Sequence, residues 1–134
     1  MATWNDVRDL VFALPGTTER PTMDDMTAWR VADKLLVWDR PLRRGDLEAL
    51  GDDAPDGPVL AARVADFGIK EALLADSPDV YFTTPHFDRS AIVLVRLENI
   101  GVDDLEELIT DAWVGRAPKK LLRQWESDQA AAGS

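Results

Sequence analysis

Acid–base chemistry in this chain has one obvious starting point. His86 is the lone histidine, and histidine is the residue type whose unperturbed pKa lies near neutrality. Asp88, Arg89 and Ser90 follow it closely, so a base, a carboxylate and a hydroxyl share one short segment. Adjacency along a loop is not triad geometry. A nucleophile, its base, an orienting group and oxyanion donors must converge in space, and nothing in the spacing makes them do so. His86 reads better as a loop-ordering histidine than as a catalytic one. No catalytic residue is assigned, and no enzyme activity is expected.

Metal and redox chemistry find little support. The chain has no cysteine, which removes disulfides, thiolate nucleophiles, iron–sulfur clusters and cysteine-ligated zinc. A single histidine rules out a histidine-pair metal site. The acidic pairs Asp24-Asp25, Asp52-Asp53 and Asp103-Asp104 lack the spacing of a calcium loop. Turn chemistry and helix N-terminal charge account for them. There is no Walker loop, dinucleotide glycine fingerprint, nucleophile elbow or zinc-binding helix. Neither metal nor cofactor is expected.

Two acid-free basic clusters remain as candidate binding residues. Arg40, Arg43 and Arg44 form one, and Arg30 and Lys34, on the predicted hairpin, can join it. Arg116, Lys119, Lys120 and Arg123 form the second group, between Ala112 and Trp125. Either could contact phosphate, and either could equally be a solvated face. The five tryptophans, Trp4, Trp29, Trp38, Trp113 and Trp125, could form a base-stacking surface if exposed together beside basic residues. At least three fall on predicted core stripes, where large aromatics ordinarily belong. The total charge opposes a polyanion. With 25 acidic and 15 basic side chains the formal charge is −10, so long-range forces repel nucleic acid and only a local patch can hold it.

The elements that must position these residues follow from periodicity. The 134 residues fit one domain, 1–134, with a tail frayed from about residue 128. Thr3 caps a helix whose apolar stripe is Trp4, Val7, Leu10, Val11 and Leu14, stopped by Pro15-Gly16. Thr17 to Asp25 reads as loop. Met26 to Val31 and Lys34 to Arg40 read as a hairpin turning at Ala32-Asp33, with Trp29 and Val31 sharing a face and Leu36 and Trp38 sharing a face. The stretch Pro41 to Pro58 reads as a long connection with one helical turn at Asp46 to Leu50. Val59 to Val64 is a third strand. Asp66 caps a second helix with Ile69, Ala72 and Leu73 on one side. Val80 to Thr84 and Ala91 to Leu97 are the last strands. Leu105, Leu108, Ile109, Ala112 and Trp113 give the third helix a complete stripe, and Pro118 opens a short final helix with Leu121, Leu122 and Trp125. The predicted fold is α+β in two layers. A five-stranded antiparallel sheet carries helices mainly on one face, in the order α-β-β-β-α-β-β-α-α.

Several segments carry a family resemblance. They are Leu14-Pro15-Gly16-Thr17-Thr18-Glu19, Trp29 to Lys34, Pro85-His86-Phe87, Leu108 to Trp113, and Ala117-Pro118-Lys119-Lys120-Leu121. In this order the chain resembles the MmcQ/YjbR family of small proteins with a double-wing, CyaY-like α/β fold. The resemblance implies that fold and a DNA-binding description, with no established enzymatic reaction. The family's recurrent hairpin falls on Arg30, Val31 and Lys34, and its recurrent histidine on His86. Asp33 stands where glycine is commoner, Ala112-Trp113 replaces a serine–tyrosine pair, and the Pro41–Pro58 connection is expanded.

The leading expectation is a non-enzymatic binding module that takes nucleic acid weakly through these basic residues. The alternative is a protein-interaction or chaperone-like adaptor with an acidic surface, and a His86-dependent enzyme ranks third. No apolar run approaches the ~18 residues of a membrane span, and no leader pattern opens the chain. A cytoplasmic monomer with no membrane partner is expected.

Overall fold

The capped helix after Thr3 and the stripe ending in Trp113 bracket the molecule. The computed structural model describes residues 2–22 and 25–132. Its elements are α1 (Trp4–Phe12), β1 (Thr17–Pro21), β2 (Thr27–Val31), β3 (Lys34–Asp39), α2 (Arg44–Leu50) with a short 3₁₀ turn (Gly51–Asp53), β4 (Val59–Arg63), α3 (Phe67–Asp76), β5 (Tyr81–Phe82), β6 (Ile92–Arg96), α4 (Val102–Arg116) and α5 (Lys119–Ala132). Among the described residues the sheet has six strands in the order β1-β2-β3-β4-β6-β5, and each of their pairings is antiparallel.

The class agrees with the periodicity, but the strand count and the order do not. Residues expected to be loop form β1, which adds a sixth strand beyond β2. A helix, α2, stands where one turn was expected, between β3 and β4. The final helix is longer than expected and continues to Ala132.

Local chemistry explains the elements that periodicity predicts. Thr3 and Asp6 form a reciprocal capping box at α1, and Asp66 accepts the Ile69 amide at 2.9 Å to start α3, so orphan helix donors are satisfied. Gly16 has φ +74°, and a Cβ there would lie 2.7 Å from Leu121 Cδ2. Its backbone requires glycine, and a side chain there would also push the tip of Leu121 aside. The β2–β3 turn places Ala32 and Asp33 at φ 49° and 64°, the left-handed pair that a two-residue hairpin needs.

Alternation sorts the strands onto two cores. Trp29, Val31, Leu60, Ala62, Tyr81, Val93 and Val95 face the helical layer, with Val7 and Val11 of α1 and the stripe of α4. Leu121, Leu122 and Trp125 of α5 pack on the same side. Ala28, Trp38, Val59, Ala61, Phe82, Ile92 and Leu94 face the other way, under Phe87, Leu42 and Leu50. The central strands β4 and β6 are therefore buried on both faces.

A bulge separates two residues expected on one face. The register steps from Trp29↔Val37 to Arg30↔Leu35, so Leu36 is an extra residue in β3. Leu36 and Val37 both join the helical side, while Trp38 joins the opposite core. An inserted strand residue resets the alternation in this way.

The buried face of α3 also differs from expectation. Ile69 is 44% exposed and Ala72 is exposed, whereas Leu73 and Leu74 pack on the core. Beside them Lys70 is 3% exposed. Among the described residues, no helix is long and apolar enough to cross a membrane.

Candidate functional site

Immediately after β3 the chain buries a charge. The Arg40 amide donates to the Val59 carbonyl at 3.0 Å, extending the ladder by one residue and turning the side chain inward. Arg40 is 6% and Asp46 5% exposed. Arg40 Nη2 lies 3.3 Å from Asp46 Oδ2, Nη1 donates to the Pro41 carbonyl, and the guanidinium sits over the Phe87 ring at 5.2 Å. Asp46 also accepts the Arg43 amide at 2.9 Å. Burial works against its ionised form. The Arg43 amide, the Arg40 charge and the nearby Thr84 hydroxyl nevertheless hold its carboxyl below the usual range. The Thr84 hydroxyl is fully enclosed and meets no strict hydrogen-bond geometry, so its part is that of a nearby dipole. Arg40 is thus committed to Asp46 rather than presented to solvent.

Over this pair opens a concavity of about 480 Å³. Arg30 from β2, Arg43 before α2 and His86 from the β5–β6 connection line it, with Leu35, Trp38, Met26 and Phe87 supplying apolar wall. Asp39 also lines it, and burial pushes its carboxyl up. Hairpin, connection and loop, far apart in sequence, meet here because β3 lies between β2 and β4.

The other basic candidates lie elsewhere. Lys34 sits at the hairpin turn opposite Val31. Arg44 pairs with Glu48 at 3.2 Å on the exposed side of α2. Arg116, Lys119, Lys120 and Arg123 cluster where α4 meets α5, in the layer on the far side of the sheet. The structure therefore brings together Arg30, Arg40, Arg43 and His86, and it leaves the rest in separate places.

The connection bearing His86 is held from beneath by Lys70, whose role sequence reasoning missed. Lys70 Nζ donates to the Phe87 carbonyl at 2.6 Å and to the Ser90 carbonyl at 2.8 Å. Burial pushes its amine pKa down, and Asp88 partly restores it. A signal was present: Lys70 stands three residues before Leu73 and four before Leu74, on the buried stripe of α3. Lys70→Met leaves two carbonyls without their donor and should cost about 2 kcal/mol. Urea melts measure the loss, and amide exchange at Phe87 to Ser90 should rise with it. Protection unchanged in that segment would mean that the amine does not hold it.

Among the described residues neither Asp88 nor Ser90 is paired with His86. Its ring is exposed and meets Phe87 edge-on at 4.7 Å. Asp88 instead accepts from the Thr83 hydroxyl at 3.3 Å, and Ser90 lends its carbonyl to Lys70.

The tryptophans form no stacking platform. Trp29 is 2% exposed, donates to Glu19 at 2.9 Å and stacks on Trp4 at 6.2 Å. Trp113 and Trp125 pair at 5.2 Å. Only Trp38 lines the concavity. Of the acidic pairs, Asp52-Asp53 lies in the 3₁₀ turn and Asp103-Asp104 in the first turn of α4. Asp24 falls outside the described residues. Among the described residues no group of three or more His, Asp or Glu could hold a metal ion.

The segments that build this site coincide with a known family pattern. A family model described as YjbR matches residues 12–114. The chain belongs to the YjbR family. The YjbR match runs from the end of α1 into the last turns of α4, so it includes the whole sheet and the concavity. The uncharacterized proteins Rv2570 of Mycobacterium tuberculosis and Mb2600 of Mycobacterium bovis are each 55% identical over 126 residues, covering 92% of this chain and 95% of their own. The crystal structure of Deinococcus radiodurans protein DR2400, a DUF419 domain, aligns with TM-score 0.63 and 20% identity, over 85% of this chain and 78% of that one. At that identity the likeness concerns the fold.

Proposed function

We propose that this YjbR protein is a non-enzymatic binding module that takes single-stranded nucleic acid weakly at the Arg30–Arg43–His86 concavity. The observation behind this reading is the convergence of two arginines and a histidine on an apolar wall that includes Trp38 and Phe87. Such a wall accepts the face of a base while the basic rim accepts its phosphate. The volume of about 480 Å³ suits a nucleotide rather than a duplex groove. The −10 charge weighs more heavily against duplex, whose phosphates are packed at about one per 1.7 Å of axis. Arg40 acts indirectly, by fixing Phe87 and α2 beneath the rim.

Fluorescence anisotropy with random single-stranded and duplex oligonucleotides at two salt concentrations tests the proposal. Single strands should bind with a dissociation constant no tighter than roughly 10⁻⁵ M near 150 mM salt, and duplex more weakly still. Arg30→Ala should flatten the salt slope by about 0.7, the value for one phosphate contact on a single strand. His86→Gln should fold and lose little binding, because glutamine keeps a hydrogen-bond donor at the same wall and the arginines carry the charge. Lys119→Ala with Lys120→Ala should leave the slope as it was. A slope that responds to the lysine pair and ignores Arg30 would overturn the assignment. Undetectable binding at low salt would reject nucleic acid and leave the protein adaptor as the better reading.

A further inference from the structure

On the helical side of the sheet, away from the concavity, α3 and α4 diverge over the end of β4 and the start of β5. The cleft between them holds about 490 Å³, within the ~300–1,000 Å³ typical of small-molecule sites. Its apolar wall includes Ile69, Leu73, Val80, Leu108 and Val114. Ile69 and Val114 are among the exposed large hydrophobics, at 44% and 39%.

Two further observations give the cleft a chemical preference. Four carboxylates line it, Asp76, Asp104, Glu107 and Asp111, against the single guanidinium of Arg63. Tyr81 also forms part of the lining. Its residue is 7% exposed, yet among the described residues nothing hydrogen-bonds its hydroxyl. Among the described residues Thr84 Oγ1 is the one side-chain polar atom both enclosed and unpaired, so the Tyr81 hydroxyl is open to the cleft, where a ligand atom can reach it. Burial raises the pKa of that phenol, and the negative charges of Asp104 and Glu107 raise it further, which places both carboxylates within electrostatic reach.

The cleft is polarised along its length. Burial lowers the pKa of Arg63, and the charge of Arg116 adds to the effect. Arg116 lies roughly 14–18 Å along α4 from Glu107 and Asp104. A cation is therefore repelled from the Arg63 end and drawn to the Tyr81 end.

We propose that the cleft between α3 and α4 binds a small organic amine, its ammonium held by the Tyr81 hydroxyl and the Asp104 and Glu107 carboxylates and its apolar body lying along Leu73 and Leu108. An ammonium has donors and no acceptor, so it matches a phenolic oxygen and carboxylates together. The apolar body displaces water from the lining, and Arg63 sets the direction in which it lies. The phenol lies in the cleft wall, nine-tenths buried, where a compact ligand reaches it more readily than a flat protein surface does.

Phenethylamine, with phenethyl alcohol as its neutral counterpart, is the probe, and amide shifts of the whole chain are the readout. The amine should bind with a dissociation constant on the order of 1 mM, as expected for so few atoms, shifting amides around Leu73, Tyr81 and Leu108. The alcohol should bind about tenfold more weakly. Tyr81→Phe preserves the ring, and Asp104→Asn with Glu107→Gln alters only exposed positions, so both variants should fold. Each should weaken the amine about tenfold, the size of one charge-assisted hydrogen bond lost, and leave the alcohol unchanged. Equal binding of amine and alcohol, shifts confined to other surfaces, or indifference of the amine to both variants would overturn the proposal. So would cleft shifts induced by a lysine-rich amphipathic peptide when phenethylamine induces none, which would assign the cleft to a protein partner.

Discussion

Asp46→Ala should lower the unfolding free energy by about 3–5 kcal/mol, the cost of stranding a buried charge. Arg40, 6% exposed in the parent, would keep, among the described residues, the Pro41 carbonyl and the Phe87 ring beside its guanidinium but lose its carboxylate. The double replacement Arg40→Met with Asp46→Leu should recover much of that loss, because it removes both desolvation penalties at once. Urea unfolding of the three variants decides it. An Asp46→Ala protein as stable as the parent would mean that water reaches the guanidinium. The pair also sets an acid limb. The Asp46 carboxyl is held below its usual range, so its contribution is present above about pH 4 and is lost as pH falls through the folded-state pKa. Glu19, held down by its hydrogen bond with Arg8 and by Trp29 against its own burial, adds to the same limb. Asp46→Ala should therefore show a flatter decline below pH 4 than the parent.

Trp113→Ala should cost a similar amount, about 3–5 kcal/mol, for a different reason. The side chain is 0% exposed, its indole donates to the Pro15 carbonyl at 3.0 Å, and it packs on Trp125. Truncation leaves a cavity between α4 and α5 and an unpaired carbonyl at the turn after α1. Trp113→Phe fills most of the space and should lose only about 1 kcal/mol. Denaturant melts that place both variants together would show that the hydrogen bond to Pro15, rather than the packed volume, is what matters.

Helices with a packed stripe were legible because their apolar residues repeat at the helical period. The α4 stripe from Leu105 to Trp113 is buried as its spacing implies, and Trp29 and Val31 share a face as alternation predicts. β1 was illegible because Thr-Thr-Glu-Arg-Pro has no apolar alternation. Its pairing depends on β2 and on the Arg8–Glu19–Trp29 contacts, none of them local. The bulge at Leu36 was equally hidden, since an inserted strand residue leaves no mark on composition. The site was half legible. Arg30, Arg40, Arg43 and His86 were named from residue type, but the burial of Arg40 and of Lys70 was not, since these residue types are seldom buried without a partner. Their partners lie beyond local reach: Asp46 follows Arg40 by six residues, and Phe87 and Ser90 follow Lys70 by 17 and 20. The cleft lined by Tyr81 was not legible at all, because its walls come from β5, α3 and α4.

The distribution of the indoles has an optical consequence. Four of the five form two close pairs, Trp4 with Trp29 and Trp113 with Trp125, and all four belong to the helical side. Rings at 5–6 Å are near enough for their transitions to couple, so near-ultraviolet circular dichroism from those pairs records the integrity of one layer. Trp38 stands apart on the opposite face, in the wall of the concavity. Its emission should respond to an occupant there while the paired rings stay silent. The unmodified protein thus carries separate reporters for its scaffold and for the concavity, with no label attached.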